Sequence, residues 1–376
     1  MKIAVIRQKY VNYGGAESFV FQYTDCMARK GHEIHIFAHQ WAPRKDDRIR
    51  VHSVPAWKIN AFIRTLSFAW FANRAVARER FDIVQSHERT FWQDVFRAGD
   101  GCHKRWLEIR SRSYSPLKRG LMWLNPFHRL ILALERRMFE GKGARKIIAI
   151  SQMVKKDIED LYRVPQGKVV VVYNGVDLER FHPGKKETVG KAVRERLGIP
   201  PGDRVILHVG SGFERKGTRY LLESLSGLES ENWRLVLMGR GNWGKYLQPL
   251  PSRERSRIIP LAPVDNIEDY YAAADLFVLP SLYEPFGNAN LEALAAGLPI
   301  VTSRYCGAAE IVSPKVDGMV IEDPTCSEEI AACINFALKE ENRGTLSLGA
   351  RELAETFTQT RNAEAMLKVY EDLLGR

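Results

Sequence analysis

Short, nearly continuous apolar runs alternate along this chain with longer stretches in which apolar residues recur every three or four positions. KIAVI (Lys2–Ile6), EIHIFA, RVHSVP, FDIVQSH, RKIIAIS and KVVVVY have the length and β-friendly content of strands. GGAESFVFQYTDCMARKG and residues 61–80 have the period of amphipathic helices. Repeated strand, loop and helix units predict a doubly wound α/β sheet. The alternation pauses at a charged, glycine-bearing stretch, residues 183–203, and resumes with RVILHV, RLVLM, IIPLAP, DLFVLP and LPIV. Two halves of one kind follow, as 376 residues exceed one ordinary core. The expected first domain is 1–178, rejoined by a C-terminal helix at 356–376, and the second is 179–355. A break in the helical tail is expected near Phe357 and Thr358.

Composition adds compartment and partner. The chain is 45% hydrophobic and 27% charged, the balance of a globular protein. Fifty-six Lys and Arg against 45 Asp and Glu leave a net charge of +11, which favours an anionic partner: nucleic acid, a membrane surface or a phosphate-bearing substrate. No recognised nucleic-acid-binding motif accompanies the charge, so nucleic acid is not expected. Five scattered cysteines lack metal-ligand spacing and read as free thiols in a reducing compartment. The chain opens on a strand, and no run is long and apolar enough to span a bilayer, so a cytoplasmic location is expected.

The stretch most suited to chemistry is SLYEPFGNANLEALAAGLPI, residues 281–300. It follows the strand-like DLFVLP and holds a helix stopped by Gly297 and Pro299. Glu284 and Glu292 lie eight positions apart, about 80° off alignment on a straight helix. That spacing puts Glu284 in the loop and Glu292 inside the helix. Between them Phe286, Gly287, Asn288 and Ala289 approach a helix N-terminus, where free N–H groups and the helix dipole favour a phosphate. Carboxylates on either side suit neutral hydroxyls, such as those of a sugar and a ribose. Upstream, RVILHVGSGFERKG places Arg215 and Lys216 directly after a strand, a position suited to a diphosphate, although a solvated basic turn gives the same pattern. Near the start, Gly14 and Gly15 follow the first strand, with Glu17 close by. A glycine turn there is more often structural than functional.

These strings together resemble the family 4 retaining glycosyltransferases of GT-B fold. E-P-F-G-N-A-N-L-E resembles their E-x7-E motif, and Y-N-G-V-D-x-x-x-F-x-P their hinge. V-G-S-x-F-x-R-K-G and D-V-x-x-A-x-D-x-C are similar to segments of the glucosyltransferases that build the lipopolysaccharide inner core. The resemblance implies two Rossmann-like domains facing a cleft, with the C-terminal helix crossing back to the first. It implies a nucleotide-sugar donor, here UDP-glucose, held by Gly15, Arg215, Lys216, Phe286–Ala289 and Glu292. It implies a lipid-linked saccharide acceptor held by Gly14, Glu17 and Asp100, with His103 added from the residues themselves as a further acceptor-binding candidate. Glu284, Asp100, Arg215 and Lys216 carry the catalysis in this reading. His103 lies outside the matched residues and is a candidate because a hydroxyl nucleophile needs a proton acceptor nearby. With no D-x-D triplet, neither a cofactor nor an obligatory metal is expected. Pro263 departs from the family, where many members carry a polar or basic residue.

Residues 104–137 hold nine basic residues against two acidic ones. Aromatic rings interleave with them, and Leu121, Leu124, Leu130, Ile131 and Leu134 form an apolar stripe broken by Pro126. The pattern suits equally a core-packed helix with a basic face and an anionic membrane surface. The resemblance favours the second, a peripheral position on the inner membrane. A nucleotide-sugar epimerase of the same fold and a non-catalytic sugar-nucleotide-binding scaffold are the rival readings.

Overall fold

The computed structural model describes residues 1–10, 15–42 and 46–375, the side chains of 15–18 excepted. The chain divides into unit 1, Met1–Asn174 with Gln359–Arg376, and unit 2, Gly175–Thr358. Unit 1 runs β1 (Lys2–Ile6), β2 (Lys9–Tyr10), α1 (Gly15–Arg29), β3 (Glu33–Ala38), β4 (Gln40–Trp41), β5 (Ile49–Ser53), α2 (Ala61–Val76), β6 (Ile83–Ser86), β7 (Gln93–Ala98), α3 (His103–Ser111), α4 (Pro116–Leu124), α5 (Pro126–Phe139), β8 (Ala144–Ala149), α6 (Gln152–Leu161) and β9 (Val169–Val171). Its main sheet is parallel throughout, in the order β5-β3-β1-β6-β7-β8-β9. Parallel neighbours need crossovers, and the crossover helices cover both faces, which is why these strands are apolar along their length. Ile3 and Val5 point into one core with residues of α1, and Ala4 and Ile6 into another with Phe68 and Ala72 of α2.

Two sequence expectations change in detail. The helix predicted over 61–80 ends at Val76, because the chain must turn to place Phe81 edge-on to Phe37 and to let Asp82 N–H bond Lys2 O. The basic segment is three helices, α3 to α5. At the last break Pro126 starts α5 and Asn125 Oδ1 accepts from Phe127 N–H at 2.9 Å, an N-cap that satisfies an otherwise orphaned donor. Ser151 caps α6 in the same way, accepting from Val154 N–H at 3.1 Å.

Unit 2 runs α7 (Lys191–Arg196), β10 (Arg204–Val209), α8 (Thr218–Ser224), β11 (Trp233–Met238), α9 (Trp243–Leu247), α10 (Ser252–Arg255), β12 (Ile258–Leu261), α11 (Ile267–Ala273), β13 (Leu276–Leu279), α12 (Asn288–Ala295), β14 (Ile300–Ser303), β15 (Gly318–Ile321), α13 (Ser327–Leu338) and α14 (Glu340–Glu355). Its six strands pair in parallel, in the order β12-β11-β10-β13-β14-β15. In both sheets the strand order reverses beside the first strand of the unit, the kind of switch point outside which open α/β sheets place ligands. The last helix, α15 (Gln359–Leu374), returns the chain to unit 1, where Ala363, Met366, Val369 and Tyr370 join the core that includes α1. All five cysteines are free.

Candidate active site

In unit 2 the loop after β10 carries Arg215 and Lys216 into Gly217, which takes φ +68°. A side chain is impossible there: a Cβ would lie 1.9 Å from Pro280 O, at the end of β13. That close approach, with Leu282 N–H bonded to Arg215 O at 2.8 Å, seats the cation loop on the carboxyl end of its neighbouring strand. Below it, buried His208 bridges the two strands. Its Nδ1–H donates to Val278 O at 2.8 Å and its Nε2 accepts from Thr218 Oγ1 at 3.0 Å, the tautomer that the carbonyl demands. Burial, reinforced by Lys216, lowers the His208 pKa to about 4, so the ring is neutral at physiological pH.

The loop after β13 carries Glu284. Its backbone pairs with the segment after β14: Glu284 N–H bonds Tyr305 O and Gly307 N–H bonds Glu284 O, both at 2.9 Å. The carboxylate is buried, with Oε2 at 2.5 Å from Lys216 Nζ and 3.6 Å from Arg215 Nη2. Burial pushes the Glu284 pKa up, but Lys216 and then Arg215 outweigh it and hold the carboxyl below its ordinary value. Both cations meet one oxygen, and no described residue donates to Oε1.

Glu284 also abuts the start of α12. Gly287, the N-cap, takes φ +82°, and a Cβ there would fall 3.1 Å from Glu284 Cγ and 2.8 Å from Asn290 Nδ2. With glycine at the cap, the N-cap residue itself offers no side chain to the first amides of the helix. A lock behind the turn fixes it: Cys306 S–H donates to Phe286 O at 3.1 Å, and Asn290 Nδ2 donates to Cys306 Sγ at 3.2 Å. Burial pushes the Cys306 thiol up to about 12, which keeps the donor protonated. Phe286 is a core residue: its ring is fully buried and its carbonyl also accepts from Ala308 N–H. Asn288 and Ala289 form the half-buried first turn of α12. Glu292, inside α12, accepts from Tyr271 OH at 2.9 Å, and burial raises its pKa. Tyr271 was not singled out from sequence, because it lies on α11 and nothing in the local pattern links it to Glu292.

In unit 1, Gly14 lies outside the described residues, Gly15 opens α1, and the side chain of Glu17 is outside the described ones. Asp100 is exposed in the turn directly after β7. His103 opens α3 beside it, with its Nε2 at 3.1 Å from His128 Nδ1. Burial, Arg89 and His128 lower the His103 pKa to about 3, which makes the ring a weak base. Sequence reasoning passed over buried Glu135 on α5. Its carboxylate accepts from Arg89 Nε at 3.0 Å and Nη2 at 2.9 Å, from Tyr162 OH at 2.7 Å, and from the amides of His103 at 2.8 Å and Lys104 at 3.3 Å. It caps α3 from outside the helix and so positions Asp100 and His103 through the backbone.

The comparisons with known proteins bear on family and fold. The model of Glycosyltransferase Family 4 matches residues 13–180, and that of Glycosyl transferases group 1 matches residues 190–353. The chain is a family 4 glycosyltransferase. The transferase is 24% identical to the lipopolysaccharide glucosyltransferase WaaG of Escherichia coli, over 95% of each chain. A crystal structure of WaaG, a glycosyltransferase involved in lipopolysaccharide biosynthesis, superposes with TM-score 0.84 over the whole of both chains at 23% identity. The structure of Anabaena HepE in complex with UDP-glucose gives TM-score 0.74 at 19% identity, covering 99% of the transferase and all of HepE. These likenesses establish the GT-B fold, two Rossmann-like units of α/β class.

The unit 2 residues form a chemically coherent set. A glycine-capped helix N-terminus and two cations suit the phosphates of a donor, while Glu284 Oε1 and Glu292 are acceptors for hydroxyl donors. Among the described residues no helix is long and apolar enough to cross a membrane.

Proposed function

We propose that the transferase moves glucose from UDP-glucose, with retention, onto a lipid-linked glycan of the lipopolysaccharide inner-core type. The buried pairing of Glu284 with Lys216 beside the α12 N-terminus carries this reading. Lys216 holds one carboxylate oxygen so that the other can accept a sugar hydroxyl, while both cations, Arg215 and Lys216, and the helix amides take the diphosphate. As the bond from the anomeric carbon to the phosphate oxygen breaks, negative charge collects on the leaving diphosphate. Preorganised cations and amides stabilise it at the moment it forms. The acceptor oxygen bonds the anomeric carbon on the same face, and its proton passes to the departing phosphate oxygen. Asp100 holds the acceptor, and Glu292 receives the ribose hydroxyls. The reaction needs no metal, because these residues supply the positive field. WaaG's role and the UDP-glucose bound to HepE support the choice of donor and acceptor class.

The acceptor is reached at an anionic membrane face. On α4, Leu117, Leu121 and Leu124 share one side of the helix and are 74%, 61% and 67% exposed, beside exposed Lys118 and Arg119. Exposed leucines flanked by cations suit an interfacial helix, with about 1 kcal/mol gained per cation near an anionic surface. The neighbouring α5 behaves differently: Ile131 and Leu134 are buried in unit 1. The predicted stripe therefore divides between core and surface.

The decisive experiment is a screen of nucleotide-sugars for turnover with and without core lipopolysaccharide, with and without added magnesium. Acceptor-dependent consumption of UDP-glucose without added metal, giving an α-linked product, is the expected result. Consumption without acceptor, yielding a rearranged sugar, overturns it. For the membrane face, wild type should sediment with anionic vesicles and lose that binding when Leu117, Leu121 and Leu124 become Ser. Equal binding of both proteins removes α4 from the membrane.

A further inference from the structure

We infer that unit 1 carries a transition-metal site, suited to zinc, formed by Nδ1 of His35, Nε2 of His52 and Oε2 of Glu79. The three residues come from β3, from the edge strand β5 and from the connection between α2 and β6. One ligand atom from each lies within 4.8 Å of the other two. His35 Nδ1 is 2.8 Å from His52 Nε2 and 3.6 Å from Glu79 Oε2. Two zinc bonds of about 2.0–2.1 Å at a tetrahedral angle place ligand atoms about 3.3 Å apart. The imidazoles need to part by about half an ångström, and the carboxylate to approach His35 Nδ1 by less.

The surroundings prepare these atoms. Glu33 Oε1 lies 2.9 Å from His35 Nε2. An ionised carboxylate only accepts, so the His35 proton sits on Nε2 and the Nδ1 lone pair points at the site. A carboxylate behind a ligating imidazole is the usual outer partner that orients it and strengthens its basicity. Without metal, His52 Nε2–H donates to His35 Nδ1; with metal, that proton moves to His52 Nδ1 and the charge of the ring is unchanged. Phe37 stacks on His52 at 4.6 Å, and the edge of Phe81 meets His35 at 5.1 Å, so neither ring can swing freely. Lys2 pairs with Oε1 of Glu79, not with the oxygen nearer His35. His35 is buried, whereas His52 and Glu79 are reached from solvent, which gives an ion its entry and a place for a water as fourth ligand. Two imidazoles and one carboxylate select a borderline divalent ion over magnesium. Binding ties the edge strand to its neighbour and to the α2–β6 connection.

The test uses the full chain, stripped with a chelator and dialysed, then titrated with zinc by calorimetry and by competition with a chromophoric chelator. One zinc per chain is expected, with a higher melting temperature and no competition from magnesium. His52→Ala and Glu79→Gln should each weaken binding at least tenfold, and Glu33→Gln by about 10- to 100-fold. His128→Ala removes the other imidazole pair and should leave the stoichiometry and affinity unchanged. Glu79→Gln is a conservative change at the surface, and circular dichroism checks that each variant is folded. Absence of stoichiometric zinc binding overturns the site. So does zinc binding by folded His52→Ala and Glu79→Gln variants with wild-type affinity.

Discussion

Among the described residues each unit buries a glutamate beside at least one cation, Glu135 in unit 1 and Glu284 in unit 2, and the two are built to opposite ends. Glu135 in unit 1 uses both oxygens on five donors from Arg89, Tyr162 and the first amides of α3. Glu284 in unit 2 meets both of its cations through Oε2 alone. A saturated carboxylate has nothing left to offer a ligand and everything to lose structurally. One with an open oxygen is held in place by its cations and can still accept a hydroxyl. Burial and a cationic neighbour therefore do not by themselves mark a site; the unused lone pairs do.

The comparison breaks most visibly if Glu135 is removed. Glu135→Ala takes from Arg89 its buried carboxylate partner and uncaps α3, and should cost about 3–5 kcal/mol in urea unfolding of unit 1. Titration of the folded variant with UDP should show unchanged affinity, since the unit 2 residues are untouched. A loss below about 1 kcal/mol would make the saturated network dispensable.

Glu284→Gln should act the other way round: transfer falls on the order of a hundredfold while UDP binding is retained, because the carboxylate serves the sugar and not the phosphates. Unchanged kcat in steady-state assays would remove Glu284 from the chemistry.

The unit 2 scaffold has its own pH signature. His208 is neutral when folded, with a pKa lowered from 6.5 to about 4. Between those values the unfolded chain binds the extra proton, so stability falls as pH drops from 6.5 towards 4, by about 3 kcal/mol in all. His208→Gln should flatten that part of the profile in denaturant titrations. A wild-type profile already flat from pH 7 to 4 would show that the ring protonates inside the fold.

The smallest effects sharpen the division of labour. Arg215→Ala and Lys216→Ala should each weaken UDP binding by about 1.5–3 kcal/mol in calorimetry. Unchanged affinity in both would displace the phosphate site from this loop.

Local pattern determined the two doubly wound halves, because strand and helix periods are written in consecutive residues and parallel sheets require apolar strands. It also made Arg215, Lys216, Glu284 and Glu292 candidates by their spacing from strand ends and from a helix start, and the resemblance to family 4 motifs selected them from other basic turns and chance glutamate pairs. The tertiary structure decided which of these residues meet. That Lys216 closes on Glu284 depends on Gly217 packing against Pro280, a contact between segments more than sixty residues apart. Tyr271 reaching Glu292, Cys306 locking the turn before α12, and Glu135 capping α3 are equally non-local, and no periodicity encodes them. Phe286 is non-local in the same way: its place in the motif is local, but the structure puts its ring in the core. The apolar stripe of the basic segment divided for the same reason. Residues with the same helical pattern are buried on α5 and exposed on α4, because burial depends on what the rest of the fold brings against each helix, and sequence spacing fixes only which side chains share a face.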